Sequence, residues 1–148
     1  MISQKAKYAL RALVALAKAD PERASFISDI AEEQNIPKKF LEQILLELKH
    51  NGIVASRRGK MGGYLLHKDA HEITFGEVLR IIDGPIAPLP CLSKIAYRRC
   101  ADCTSESNCE IRRVFARVTD ASRAVLDKTT IADSLGSDEK SELSLALS

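Results

Sequence analysis

Between residues 3 and 19 apolar side chains recur at Ala6, Leu10, Leu13 and Ala17, a three-to-four spacing that builds one face of a helix. Ser3 stands where a cap is needed, and Asp20 and Pro21 end the pattern. A second, shorter helix is predicted over 27–34 with Ile30 and Ala31 inward. Asn35 and Ile36 then make a tight turn. Pro37 opens a third helix, where its missing N–H costs nothing, and this helix runs to about His50. Leu41, Ile44, Leu45 and Leu48 form its buried stripe, and Asn51 and Gly52 close it through a left-handed residue.

The period then changes. Residues 53–56 and 64–67 read as short strands flanking a basic, glycine-rich tip made of Arg57, Arg58, Gly59, Lys60, Gly62 and Gly63. "ITFGEVLRIIDG" returns to helix, with Val78, Leu79 and Ile82 inward and Gly84 at its end. Pro85, Pro88 and Pro90 rule out a helix in the next segment and are expected to present Cys91 on an extended, stiffened loop. Beyond Cys109, the residues Ile111, Val114, Val118, Ala121 and Val125 make a narrow seam suited to packing against another helix. Such a seam covers either the chain's own core or a second copy; with nothing after it to pack beside, self-association is expected. Residues from about 133 onward are Ser-rich and polar and are expected to be a disordered tail. The fold class is therefore mainly α with a small β-hairpin wing.

At 148 residues and 45% hydrophobic, the chain has material for one core. No run approaches the ~18 apolar residues of a membrane span, and "MISQKAKYAL" lacks the apolar centre of an export signal, so a cytoplasmic location is expected and a membrane partner is not. The net charge of +2 hides an asymmetry. Residues 1–68 hold twelve Lys/Arg against seven Asp/Glu, whereas residues 69–148 hold ten against thirteen. The basic half is the one suited to a polyanion.

Two short helices joined by so few residues, the second with a polar outer face, are the arrangement that delivers a recognition helix to a major groove. That outer face carries Lys38, Lys39, Glu42 and Gln43. Lysine contacts phosphate or guanine, Gln pairs with adenine, and Glu accepts from the cytosine amino group. An ordinary solvated helix surface is the competing reading. The wing tips the balance, because glycines permit close backbone approach and three cations suit a narrow groove lined by phosphates. A nucleotide-binding loop is disfavoured, since the spacing of G-x-x-x-x-G-K-S/T is missing and no helix follows.

The stretch "LEQILLELKHNGIVASRRGKMGGYLL" closely resembles the winged-helix transcription regulators of the IscR, NsrR, RirA and CymR type, the Rrf-two family. The resemblance extends from about residue 1 to 132, and its most specific part is Leu41 to Leu66. It implies a homodimer on a partly palindromic, double-stranded DNA operator, with no small-molecule substrate. It also implies base reading early in the third helix by Lys38, Lys39, Phe40, Glu42 and Gln43, and entry of Arg57 or Arg58 into the minor groove, with Lys60 beside them. The expected division is a winged helix-turn-helix over 1–83, a cysteine loop over 84–109, a long dimerisation helix over 110–132 and the tail over 133–148.

All four cysteines, Cys91, Cys100, Cys103 and Cys109, fall within 19 consecutive positions. Structural disulfides are rare in a reducing cytosol, which favours a metal, a cluster or a redox switch. Zinc takes four thiolates well, but its structural sites usually pair two C-x-x-C knuckles and only Cys100 and Cys103 make one here. A thiol switch needs a thiolate of lowered pKa, and Arg98, Arg99, Arg112 and Arg113 supply positive charge nearby. An iron–sulfur cluster needs soft thiolates with few constraints on spacing. From the residues alone zinc and iron–sulfur stand level. The family resemblance implies the cluster (2Fe–2S or 4Fe–4S), since many members carry three cysteines in this loop, whereas CymR-like members lack them. Those three fall on Cys91, Cys103 and Cys109; Cys100 is then an additional thiolate, and four-cysteine ligation is expected.

The function expected is a DNA-binding transcriptional repressor whose operator binding is set by the cluster in response to iron, nitric oxide or redox state. A zinc-stabilised or thiol-switch winged-helix regulator is the alternative. A C-x-x-C oxidoreductase is disfavoured, because that motif would follow a strand and open a helix, not sit in a proline-flanked loop. His50, His67 and His71 are expected on the surface rather than as ligands.

Overall fold

The computed structural model describes residues 2–136. Helix α1 (Gln4–Lys18) starts at Ser3, whose hydroxyl accepts from the Ala6 amide at 3.0 Å. Its inner face is Ala6, Ala9, Ala12, Leu13, Ala15 and Leu16, small enough for neighbouring helices to lie close. Helix α2 (Ile27–Gln34) stops at Asn35, which adopts the left-handed φ of 54° that Asn tolerates. Helix α3 (Lys38–His50) follows almost at once. Pro37 stands just outside it as the cap residue, not as the first helical residue expected, because its ψ of 126° is extended. The stripe of Leu41, Ile44, Leu45 and Leu48 is fully buried against α1 and α2.

Strands β1 (Val54–Arg57) and β2 (Gly63–Leu66) pair antiparallel, Val54 facing Leu66 and Arg57 facing Gly63. Each lies one residue from its expected start. Ser25, in the turn before α2, adds a third short edge through two backbone bonds with Tyr64 of 2.7 and 2.8 Å. Gly63 makes this possible: a Cβ there would lie 2.2 Å from the Ser25 carbonyl oxygen, and its φ of 132° is one that other residues avoid. The wing is thereby fastened to the turn that precedes the helix-turn-helix.

Helix α4 (Phe75–Asp83) is capped by Thr74 and packs on α1 and α3. Its last residue, Asp83, accepts from the Ser3 amide at 3.0 Å and from the Ser3 hydroxyl, tying the end of α4 to the start of α1. The following segment differs from expectation. Pro90–Leu92 forms one 3-10 turn, and Cys91 is buried rather than presented on an extended loop. A proline is tolerated at the first position of such a turn, where its absent N–H has no partner to lose.

Helix α5 (Glu110–Leu126) carries the predicted seam, but the chain after it does not leave the domain. It returns to α4: the Phe75 amide donates to the Thr129 carbonyl at 2.9 Å and the Ile131 amide to the Ile73 carbonyl at 2.8 Å. Ile131 is fully buried in the same core as Leu13, Leu45 and Ile73. Asp133–Leu135 then form a further 3-10 turn, held by the Asp133 carboxylate on the Thr130 amide. Residues 133–136, expected to belong to the disordered tail, are thus held against the domain through Ile131; the rest of the expected tail, 137–148, lies outside the described residues. Among those described, no helix is long and apolar enough to cross a membrane.

Truncating Ile131 tests this closing contact. Ile131→Ala should cost about 2–5 kcal/mol in equilibrium unfolding by denaturant, the range for emptying a packed core position. A loss below about 0.5 kcal/mol, the scatter of ordinary surface substitutions, would mean the returning segment contributes nothing to the core.

Candidate functional site

The outer face of α3 and the tip of the wing lie open to solvent. Lys38, Lys39, Glu42 and Gln43 are exposed, as are Arg57, Arg58 and Lys60. Phe40 is different: it is half-buried and its ring meets Tyr8 edge to face, centroids 5.5 Å apart. Its larger contact is thus with α1, which steadies the start of α3. Arg57 donates to the Glu22 carbonyl at 3.0 Å, so the root of the wing is held against the turn before α2. Among the described residues Arg58 and Lys60 have neither an ion pair nor a hydrogen-bonded side-chain partner, so both cations remain available to phosphate. The tip is tight: a Cβ at Gly62 would lie 2.6 Å from the Arg57 carbonyl oxygen.

The cysteines gather around the beginning of α5, and all four thiols are free. Cys109 is the cap residue of α5 and its sulfur accepts from the Arg112 amide at 3.4 Å. Cys91 lies buried in the 3-10 turn packed against the same helix, and Arg112 Nη2 donates to its carbonyl at 3.4 Å. Cys100 and Cys103 share a turn closed by the Cys103 amide on the Cys100 carbonyl at 3.1 Å. Arg99 reaches the carbonyls of Cys103 and Thr104, and Tyr97 bonds to Glu106, so the loop between the cysteines is closed by its own polar groups.

Cys100 is exposed, yet its thiol is held above its usual pKa, first by partial desolvation and then by the charges of Cys91, Asp102, Cys103 and Cys109. Mutual repulsion of this kind is what a cation relieves. Among the described residues, however, no three His, Cys, Asp or Glu side chains converge closely enough to hold a metal ion. The loop places the thiols near one another without closing them on one centre. The donor set nevertheless fits a soft metal or an iron–sulfur cluster, and a second feature agrees: Arg112 Nε is fully buried with no hydrogen-bond partner, a donor that lacks its acceptor. His50, His67 and His71 are exposed, and His71 pairs with Asp69 at 2.9 Å.

The family model described as an iron-dependent transcriptional regulator, Rrf2, matches residues 2–136. The chain belongs to the Rrf2 family. A Rhodobacter capsulatus protein described as an rrf2-like HTH-type transcriptional regulator is 49% identical over 138 residues, 91% of this chain and 92% of the relative. The HTH-type transcriptional regulator IscR of Cronobacter sakazakii is 30% identical, over 97% of this chain and 85% of its own. Among solved structures, CymR of Bacillus subtilis, described as a global cysteine regulator, superposes with a TM-score of 0.75 at 33% identity, covering 90% of this chain and 94% of CymR. These relatives are named as transcriptional regulators and not as enzymes. This Rrf2 chain is accordingly a helix-turn-helix, DNA-binding transcriptional regulator.

What joins the two halves of this Rrf2 regulator escapes the sequence reading. Arg80 of α4 grips Asp127, just past α5, with both guanidinium nitrogens at 2.6 and 2.9 Å. Arg123 donates to the carbonyls of Ile86 and Leu92 at 3.0 and 3.2 Å, fastening the proline segment to α5. Arg123 lies on the face of α5 opposite the apolar seam, beside Thr119, and an arginine there does not name the carbonyl it will meet. Gly76 is required beneath the ion pair, since a Cβ there would fall 2.1 Å from Asp127 Oδ1.

The hydrogen bonds from Arg80 hold the Asp127 carboxyl below its usual pKa. A carboxylate depressed in the folded state stabilises it above the unfolded value of about 4, and that contribution is lost as pH falls through the folded value. Wild-type protein should therefore lose melting temperature more steeply than Asp127→Asn below about pH 4. Parallel acid profiles for the two would show that the pair does not stabilise the α4–α5 junction.

Proposed function

We propose that this regulator is a repressor that binds its operator as a homodimer, and that an iron–sulfur cluster held by Cys91, Cys100, Cys103 and Cys109 sets its DNA affinity. The observation that carries the reading is the collection of every thiol in the chain at the start of α5, beside a buried donor without an acceptor. The description of the family as iron-dependent supports iron as the metal. On this reading residues 1–83 are the DNA-binding unit, 84–109 the cluster loop and α5 the dimer helix.

Dimerisation is supported by the outer side of α5. Ile111, Val114, Phe115, Val118 and Val125 are between 39% and 63% exposed, while Thr119 is the helix's buried residue. A row of five large apolar side chains in water is a docking surface, and its three-to-four spacing suits the same helix of a second copy. In the groove, Lys38 and Lys39 would meet phosphate or guanine, and Glu42 and Gln43 would read base edges. Phe40 would set the entry angle of α3 through Tyr8. Arg57, Arg58 and Lys60 would take the minor groove and its phosphates, with Arg57 positioned by Glu22.

When bound, the cluster supplies an iron- and redox-sensitive link between the 3-10 turn of Cys91 and the loop and helix of Cys100, Cys103 and Cys109. The chain carries the consequence through contacts of its own. Leu92 and Ile86 are fixed to α5 by Arg123; Pro85 is joined to α4 through Gly84; and Asp83 of α4 is bonded to Ser3, the cap of α1. Ordering or loosening the loop thus shifts α5 against α4 and α1, and with it the separation of the two recognition helices. A coupling of about 1–3 kcal/mol is typical of such regulation.

A thiol switch without metal is the second reading, supported by the similarity, at 31% identity over 90% of this chain, to a Staphylococcus aureus CymR structure described as an oxidized form. Iron, sulfide and zinc content of protein purified without oxygen, together with its visible spectrum, separate the two. The cluster reading requires iron and sulfide in comparable amounts with cysteinate-to-iron charge-transfer absorption. Colourless protein with stoichiometric zinc, or metal-free protein with a reversible disulfide, would replace it.

The wing is tested on operator DNA. Arg57→Ala and Arg58→Ala should each weaken binding across sequences and lower the slope of log affinity against log salt by about 1. Unchanged slopes would remove the wing from the phosphate contacts.

A further inference from the structure

Arg112 is awkwardly placed for an arginine. It lies in the first turn of α5, where the helix dipole disfavours a cation, and it forms no ion pair with a carboxylate among the described residues. Its side chain runs inward: Nη2 reaches the carbonyl of Cys91 and Nε is sealed from solvent without an acceptor, while the backbone amide bonds to Cys109 Sγ. Its neighbour Arg113, by contrast, is exposed. A positive charge at the positive end of a helix and a buried N–H left unpaired are both costs to the fold, and an anionic sulfur between Cys91 and Cys109 relieves both at once. Four thiolates leave a zinc or iron–sulfur centre net negative, so the complementarity runs in both directions.

We infer that Arg112 is the positioning residue of the cysteine loop, its Nε–H donating to metal-bound sulfur and its guanidinium supplying the counter-charge that lets four thiolates share one centre. The inference rests on the metal reading above, but it holds for a cluster and for zinc alike, because both present thiolate sulfur as the acceptor. The arginine acts through the sulfurs and is not itself a ligand. Hydrogen bonds and charge at the sulfurs tune reduction potential, and partners of this kind, when replaced, typically cost about 10- to 100-fold in metal affinity.

The test uses the full chain, prepared without oxygen and reconstituted either with ferrous iron and sulfide or with zinc. Wild type is compared with Arg112→Lys, Arg112→Gln and, as a control that removes the same charge from the solvent side, Arg113→Gln. Chelator competition should show metal held about 10- to 100-fold more weakly in Arg112→Gln, less so in Arg112→Lys, and as in wild type in Arg113→Gln. In the cluster-loaded protein the reduction potential should move negative in Arg112→Gln and stay put in Arg113→Gln, because donor and charge both favour the added electron. Metal-free Arg112→Lys should melt with the metal-free wild type. Equal metal retention and potential in both Arg112 variants would overturn the inference and leave the metal reading intact, as would a loss explained by a lowered metal-free melting temperature. A wild-type chain that takes up neither iron–sulfur nor zinc would overturn both.

Discussion

Helix α5 is held to the rest of the molecule by arginines, and its apolar side faces away. Arg80 on Asp127, Arg123 on the carbonyls of Ile86 and Leu92, and Arg112 on the carbonyl of Cys91 are its fastenings, and Thr119 is its one fully buried side chain. Partly exposed ion pairs are worth at most about 1 kcal/mol each. A helix fastened this way is fixed in direction by geometry more than by energy. The chain on either side supplies the missing strength: buried Cys91 before it and Ile131 after it.

The winged domain is built on the opposite principle. Leu13, Leu41, Ile44, Leu45, Leu48, Ile53, Ile73, Val78 and Ile131 are all fully buried in one cluster. Such an interior does not deform continuously, since close packing makes small shifts costly. Whatever perturbs the cysteine loop therefore meets a rigid body on one side and a lightly held helix on the other. Movement goes to the helix, and the recognition surface of α3 keeps its own shape.

Helices α1 to α4, the wing and the seam of α5 were legible because periodicity reports one face of one element at a time. Ser3 and Gly52 declared themselves by residue type, as did the glycines of the wing. The misread places share a cause: each depends on a partner distant in sequence. Cys91 is buried because α5 covers it from more than fifteen residues away. Ile131 fell inside the dimerisation helix expected over 110–132, because a lone isoleucine after two threonines carries no period and its packing against Ile73 and α1 residues needed the fold. Phe40 was named through the family resemblance alone, and its edge contact with Tyr8 could not be seen from the spacing of α3. The cysteines were legible as a set through their density alone, whereas the geometry around them, with Cys109 capping a helix and Arg112 reaching back to Cys91, needed the fold.

The same division of labour constrains how a signal at the cysteines could reach DNA. The C-x-x-C turn and its neighbours are fastened by backbone carbonyls and a Tyr97–Glu106 bond, all near the surface and individually weak. The loop can therefore exist in more than one arrangement at small cost, which a two-state element requires. Cys91 and Cys109 are the exceptions, one buried and one built into the helix cap, and these two sit on the opposite members of the joint, the proline segment and α5. A bond between them through a shared centre would add stiffness at the one place where the fold itself supplies little. In the proposed dimer both seams lie along one axis, so the same change is made twice, once in each half of the joint that spaces the two α3 helices.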